Sequence, residues 1–586
     1  MGWNRSSLLP LLLLATVFHH HSTAALPLST NSRWIVSDGE GGERVKLSCV
    51  NWVSHLDAVV AEGLSKQPVD VISKKILDMG FNCVRLTYPL FLFTNDSLAS
   101  VSVRQSLKKL GLIESIAGFQ ANNPSFVDLP LIKAFQEVVA SLDRNNVMMV
   151  LDNQISKPGW CCSDFDGNGF FGDRYFDPDV WLKGLAKVAT MFNSTKNVVG
   201  MSLRNELRGP KQNVSIWYRY MQKGAEVVHA ANPNVLVILS GLSYDKDLSF
   251  IQTQDVSLTF SNKLVFEAHW YGFSNSEEWE TGNPNQVCGR IVDNIMQKSG
   301  FLLEKGYPLF ISEWGVDQRG TNENDNRYLN CFMAWAADTD LDWAIWTLAG
   351  SYYFREGVVG MEEFYGVLNW DWCEARNSSF LKKISPIQSP FQGSFYTCNK
   401  GLLVGPNRSN RMSDWSAFFP LIFACPGLSN TRPHKVIFHP ATGLCVQRQS
   451  LFKPLSLGAC AEAEHWDYTQ KQTLTIKGTY YCLQTDGVGK KAKLGLICTD
   501  SSSKWEAISA SKLHLSSKTN NGTVVCLDVD SENNIVTNNC RCLTNDNGCD
   551  PASQWFKIIN STMSTASEPY SRVDAILQSL GANLFG

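Results

Sequence analysis

Beyond residue 25 the 586-residue chain has no apolar run approaching the ~18 residues that a membrane-spanning helix requires. No membrane is therefore expected among its partners. Charge of one sign is also scarce. Lys and Arg total 52 against 55 Asp and Glu, and the net charge of −3 offers no basic field to nucleic acid or to an anionic membrane. No C-x2-C pair is matched by a second at zinc-finger spacing, which speaks against a structural zinc site, and nothing else in the chain calls for a metal or a cofactor. No glycine-rich phosphate turn follows the first candidate strand, so a dinucleotide-binding open sheet is disfavoured. Disorder is excluded by 44% hydrophobic and only 18% charged residues.

What is present first concerns address and size. Arg5, the apolar run from Leu8 to Phe18 and the small residues Ser22-Thr23-Ala24-Ala25 predict a cleaved signal peptide over residues 1–25. Seven N-x-S/T triplets follow it, at Asn95, Asn193, Asn213, Asn377, Asn407, Asn521 and Asn560. Together with 17 cysteines they predict a secreted, extracellular protein, with most thiols paired and at least one left over. The tail 561–586 is too polar for a lipid-anchor signal. The length suits two large domains. The 18 Trp, 16 Tyr and 31 Phe are mostly core, yet so many indoles also suit stacking against sugar rings.

From Val45 to Gly350 short apolar runs alternate with helical stretches such as Leu131–Arg144 and Ile216–Ala231. Eight candidate strands emerge: Arg44–Asn51, Asn82–Thr87, Val147–Asp152, Val198–Arg204, Val235–Leu239, Leu264–His269, Pro308–Ser312 and Trp343–Thr347. Their continuous apolar character fits parallel strands covered on both faces. Eight βα units predict an α/β protein with a (β/α)8 TIM barrel over residues 26–425, the stretch 354–425 packing on the barrel as a connection.

After Cys425 the texture changes to short polar–apolar segments. Three units superpose: Cys445-Val446, Cys460, Trp466; Cys482-Leu483, Cys498, Trp505; and Cys526-Leu527, Cys540, Trp555. A three-fold repeat of this size predicts an all-β β-trefoil domain over 430–560, followed by the tail 561–586. The matched spacing predicts disulfides 445/460, 482/498 and 526/540, with a further bridge between Cys542 and Cys549, and places the three tryptophans in the core.

Residues at the C-terminal ends of barrel strands face the site of chemistry. Arg85 closes candidate strand 2, Gln154 lies just beyond strand 3, and Asn205-Glu206 follow strand 4. His269 and Tyr271 follow strand 6, Glu313 ends strand 7, and Trp346 lies in strand 8. Taken singly, a glutamate after a strand is usually a capping residue and a histidine usually a bonded core residue. Two acids on one rim have a joint meaning, however: one protonates a glycosidic oxygen while the other attacks the anomeric carbon or activates water.

Leu203-Arg204-Asn205-Glu206-Leu207, His269-Trp270-Tyr271-Gly272 and Ile311-Ser312-Glu313-Trp314-Gly315 resemble the signatures of glycoside hydrolase family 5, of clan A, over roughly residues 40–350. Arg85 and Trp346 fit the same pattern. The whole chain is similar to plant-type cellulase-domain proteins that carry a ricin-type lectin domain. The resemblance implies a retaining β-glycoside hydrolase that needs no cofactor and acts on a wall polysaccharide or oligosaccharide. It implies Glu206 as acid/base, Glu313 as nucleophile, Asn205 on the substrate 2-hydroxyl, Arg85 and Tyr271 bonded to the nucleophile, and His269 and Trp346 lining the subsite.

One position departs from that pattern. The family usually places a histidine where this chain has Gln154, which bonds in both senses but carries no charge. Asp164-Phe165-Asp166-Gly167-Asn168-Gly169 imitates the start of a calcium loop, but Tyr175 stands where the twelfth-position acid belongs, so it reads as a turn over the cleft. Trp160, Phe170 and Phe171 nearby either wall the cleft or pack beneath it, packing being the expectation for two of them. In the repeat domain, Gln447 and Gln484 replace the sugar-reading aspartate of the lectin family, leaving Asp528 as the single candidate for a carbohydrate ligand there. A carbohydrate-binding protein with a weakened barrel and a transglycosylase stay open beside the hydrolase.

Overall fold

A computed structural model describes residues 26–38, 42–393, 433–450, 453–544 and 546–563. The predicted signal peptide, Asn407, Cys398, Cys425, residues 394–425 of the connection and most of the tail lie outside the described residues.

Eight parallel strands close into a barrel in chain order: β1 (Ser48–Trp52), β2 (Cys83–Pro89), β3 (Met148–Ile155), β4 (Val198–Ser202), β5 (Leu236–Ser240), β6 (Leu264–His269), β7 (Leu309–Trp314) and β8 (Asp342–Ile345), with β8 pairing back onto β1. All eight predicted strands are present, the sixth with the ends predicted for it and the other seven with shifted ends. β3 runs on to Ile155 because β2 continues beside it as far as Pro89, so Gln154 lies inside the strand rather than beyond it. Arg85 is the third residue of β2, deep in the barrel rather than at its end. β8 stops at Ile345, whose carbonyl accepts from the Asn51 side chain, and Trp346 falls in the following loop. β1 starts only at Ser48, since Arg44 and Lys46 are engaged at the barrel floor with Asp342 and Asp340.

The helices wrap outside. Leu131–Arg144 turns Leu131, Phe135, Val138, Val139 and Leu142 inward at helical spacing. Val214–Ala231 begins two residues before the predicted Ile216 because the Asn213 side chain caps it, accepting from Ile216 N. Between β5 and β6 the chain makes only a short 3-10 turn, Ser249–Gln252, so not every strand is followed by an α-helix.

Inside the barrel, Cys49, Cys83, Val150, Val199, Ile238, Val265, Phe310 and Ala344 give one apolar side chain from each strand. A two-stranded hairpin, Leu28–Asn31 with Trp34–Ser37, seals the bottom of this column through Leu28 and Ile35. Cys49 and Cys83, directly opposite in the β1/β2 ladder, are bonded. Cys288–Cys331 joins the helix Pro284–Ile295 to Glu323–Thr339. Among the described cysteines, Cys373 carries the thiol left over. No helix among the described residues is long and apolar enough to cross a membrane.

Residues 433–563 form an all-β region of antiparallel sheets, its first strand His434–His439 pairing with its last, Lys557–Ser561. The bridges Cys445–Cys460, Cys482–Cys498, Cys526–Cys540 and Cys542–Cys549 form as the spacing predicts. Trp466 and Trp505 sit in this region's own core, whereas Trp555 joins the barrel's core cluster. Its Nε1 donates to Asn285 Oδ1 at 2.8 Å, and Asn285 Nδ2 donates to the Cys542 carbonyl. The third repeat is thereby fastened to a barrel helix.

Candidate active site

The C-terminal mouth of the barrel opens into a cleft of about 640 Å³ that Gln154, Glu206, His269, Tyr271, Glu313 and Trp346 all line. Arg85 lies beneath it, fully buried, with Nη1 on Glu313 Oε1 (2.9 Å) and Asn51 Oδ1, and Nη2 on Asp152 Oδ1 and Asn205 Oδ1. Burial opposes its charge, but Asp152, Glu267 and Glu313 around it outweigh that and raise its pKa. Asp152 is pushed up to about 7 by burial, Glu267 and Glu313 adding to the effect and Arg85 opposing it.

Glu313 is held from three sides. Besides Arg85, Gln154 Nε2 donates to Oε1 at 3.2 Å and the Tyr271 hydroxyl to Oε2 at 2.9 Å. Gln154 thus donates to the carboxylate without adding charge, while its own Oε1 is buried and unpaired. A register shift between Ala268 and His269 sets His269 opposite Glu313 in the β6/β7 ladder. His269 Nδ1 lies 2.9 Å from Glu206 Oε1 and 3.7 Å from Glu313 Oε2, and Nε2 faces Ser312 Oγ at 3.1 Å. Burial disfavours its cation, but Glu313, Asp245 and Glu206 prevail and raise its pKa to about 9.

Glu206 sits in the coil after β4 with φ 44°, a left-handed conformation uncommon for a side-chain-bearing residue. Its N–H donates to Asp245 Oδ2 at 2.9 Å. That same oxygen is 3.5 Å from His269 Nε2, and the Asp245 carbonyl accepts from His269 N. Asp245 ends a run of three residues with positive φ: Ser243 (55°), Tyr244 (62°) and Asp245 (58°). No sequence signal marks it, because its role depends on this backbone.

The cleft has further walls: Trp160 was a candidate from the sequence, whereas His55 and Phe273 carry no motif. Trp160 packs between Trp346 and Tyr352, with the Arg355 guanidinium 3.4 Å over its ring, while Phe170 and Phe171 are buried as expected. His55 is held neutral by burial and by Arg85, which lower its pKa to about 3. Its Nδ1 meets Thr87 Oγ1, and Nε2 is unpaired. On another wall Phe273 stacks on Tyr271 and is 59% exposed. One carboxylate oxygen each of Glu206 and Glu313 and a nitrogen of His269 lie within 4.8 Å of one another.

The sequence model described as cellulase (glycosyl hydrolase family 5) matches residues 61–351. A glycosyl hydrolase 5 family protein of Chamaecyparis obtusa is 42% identical over 570 residues, covering 94% of this chain and 95% of the relative. This chain belongs to glycosyl hydrolase family 5. The family 5 barrel is also similar in fold to a cellulase–inhibitor complex, with TM-score 0.51 and 17% identity over 63% of this chain and all of the other. It is similar as well to an endocellulase of Pyrococcus horikoshii complexed with cellotetraose, with TM-score 0.50 and 17% identity over 62% of this chain and 99% of that one.

Two other readings of this glycoside hydrolase meet their geometry here. The loop resembling a calcium site spends its acids on protein groups. Asp166 pairs with Arg208, and Asp164 Oδ1 accepts from Tyr244 and Gly209 N, so it is a turn over the cleft. In the all-β region Asp528 is 1% exposed. Its Oδ2 accepts from Asn538, Arg541 and Gln554 and its Oδ1 from Val529 N, so the carboxylate is held within its own repeat.

Proposed function

We propose that this enzyme is a retaining β-glycosidase acting on an extracellular β-linked polysaccharide or oligosaccharide, with Glu313 as nucleophile and Glu206 as acid/base. The observation that carries this reading is the separation of the two carboxylates, whose nearer oxygens lie within 4.8 Å. Retaining enzymes hold their carboxyl groups about 5–5.5 Å apart, whereas inverting ones leave about 6.5–9.5 Å for a water.

In the first step Glu313, steadied by Arg85, Gln154 and Tyr271, attacks the anomeric carbon, and the bond to the leaving oxygen breaks as that oxygen takes a proton from Glu206. His269 shares its proton with Glu206 across the 2.9 Å contact and so keeps that proton at the site of departure. In the second step water gives a proton back to Glu206 and opens the glycosyl–Glu313 ester with the β configuration restored. A glucan-type substrate is favoured by the family and by the cellotetraose held by the P. horikoshii neighbour. Export is supported by the exposure of five of the predicted glycan acceptors, Asn95, Asn193, Asn213, Asn521 and Asn560, and by seven disulfides among the described residues.

The test begins with purified protein on soluble β-glucan, mannan, xylan and cellotetraose. A 2-fluoro glycoside is then expected to label Glu313 alone. Glu313→Gln should lower turnover by several orders of magnitude. Glu206→Ala should keep the first step on a dinitrophenyl glycoside and yield a β-glycosyl azide when azide is added. An α-configured product, or label on Glu267 or Asp317, would falsify the assignment.

A further inference from the structure

Residues 156–177 arch over the mouth of the barrel between β3 and the helix Pro178–Met191, and they are pinned at both flanks of Cys161-Cys162. On one side Arg355 covers the Trp160 ring. On the other, Arg208 Nε donates to the Ser163 carbonyl at 3.0 Å while its Nη2 pairs with Asp166. The adjacent cysteines are bonded to each other, and both line the cleft. Their sulfurs lie 3.9 and 3.8 Å from Asn205 Nδ2, and a sulfur of each is within 4.8 Å of a Glu206 carboxylate oxygen.

This contact has a chemical consequence. Asn205 Oδ1 is taken by Arg85, which fixes the amide so that Nδ2 points at the sulfurs. Sulfur is a weak acceptor, so that N–H stands ready for a better one. Once bonded, the two sulfurs have no S–H to donate and present a soft, polarizable apolar face. Around them stand groups that seek hydrogen bonds: Gln154, Glu206, His269, Tyr271 and Glu313. A sugar ring has a C–H face and a hydroxyl edge. Seated on the disulfide by its C–H face, it brings a hydroxyl to Asn205 Nδ2 and its glycosidic oxygen toward Glu206.

We propose that the Cys161–Cys162 disulfide is a substrate-binding surface, against which the sugar engaged by Asn205 and Glu206 packs. The proposal rests on the glycosidase reading above and adds to it a residue pair that determines how the sugar is held. Opening the bond removes the surface: each sulfur gains a proton, and the two thiols no longer form one continuous face. A phosphine in water supplies the two electrons, becoming the phosphine oxide.

The experiment measures kcat and KM for cellotetraose on the full chain in four states: wild type and Cys161→Ala/Cys162→Ala, each with and without a phosphine reductant. Peptide mapping identifies which bonds open. The expected result is a KM raised about tenfold in the double variant, kcat changing much less, as for the loss of one apolar contact in a pocket. Wild type should shift the same way on reduction, and the variant should not respond. A variant KM within twofold of wild type, a phosphine effect that persists in the variant, or free thiols at both positions in untreated protein would overturn the proposal. Should the double variant not fold by circular dichroism, reduced wild type and Cys161→Ser give the same comparison. Failure of wild type to hydrolyse any of the glycans would instead overturn the glycosidase reading, so the two failures are distinct.

Discussion

Asp245→Ala removes the acceptor that holds the Glu206 backbone. The lost contact is the 2.9 Å bond from Glu206 N to a buried carboxylate, and it leaves an N–H without a partner at a cost of about 1–3 kcal/mol. The larger effect is on rate. Glu206 sits at φ 44°, a region held only where the surroundings impose it, and without Asp245 that imposition is gone. A displacement of the acid by ~1 Å is worth about a hundredfold. We therefore expect kcat/KM to fall about a hundredfold on substrates with alkyl or sugar leaving groups, with KM little changed. On dinitrophenyl glycosides, whose leaving group needs no proton, glycosylation should fall much less. Asp245→Asn keeps an oxygen in place and should recover most of the rate. The assay is a leaving-group series read by steady-state kinetics, with circular dichroism to establish folding. Equal losses across the series would show that Asp245 supports the barrel in general, and full activity of the alanine variant would show that Glu206 needs no anchor.

Gln154→Leu removes one donor to Glu313 and should lower kcat/KM on cellotetraose about tenfold, with Gln154→His restoring it. The His269 pKa lies at about 9 in the fold against 6.5 without it, raised by Glu313, Asp245 and Glu206 against the pull of burial. Its contribution to stability, about 3 kcal/mol, is complete below pH ~6.5 and is lost as pH rises through about 9. Denaturant midpoints should fall over that interval in wild type and much less in His269→Gln. Trp555→Phe leaves Asn285 Oδ1 with only Ser511 as donor and should cost about 1 kcal/mol, read as a lowered midpoint for barrel and all-β region together. A midpoint lowered in the all-β region alone would place Trp555 in that region's own core.

The barrel was legible because buried parallel strands write themselves as apolar runs, and Glu206, Glu313, His269 and Tyr271 because they stand at the ends of those runs. Strand ends were less legible. Whether Gln154 lies in β3 and Trp346 outside β8 depends on how far the neighbouring strand continues, which one segment does not record. Asp245 was invisible, since three consecutive left-handed residues have no residue signature here beyond Ser-Tyr-Asp. The adjacent cysteines after β3 were visible as letters, but their place in the cleft depends on Arg208 and Arg355, 46 and 193 residues beyond Cys162. In the repeat domain spacing revealed the disulfides, whereas the docking of Trp555 on Asn285, 270 positions away, needed the fold.

The ring of strands closes only when β8 meets β1, and a bond at the foot of that ladder, Leu47 N to Asp342 Oδ1, spans 295 residues. A chain leaving the ribosome must therefore wait through most of its synthesis before the circle can be completed. The Cys49–Cys83 bond needs only 34 residues and can form long before. It gives the nascent chain a fixed first pair of staves on which the later ones align, and it shortens the loop that the final closure must tame.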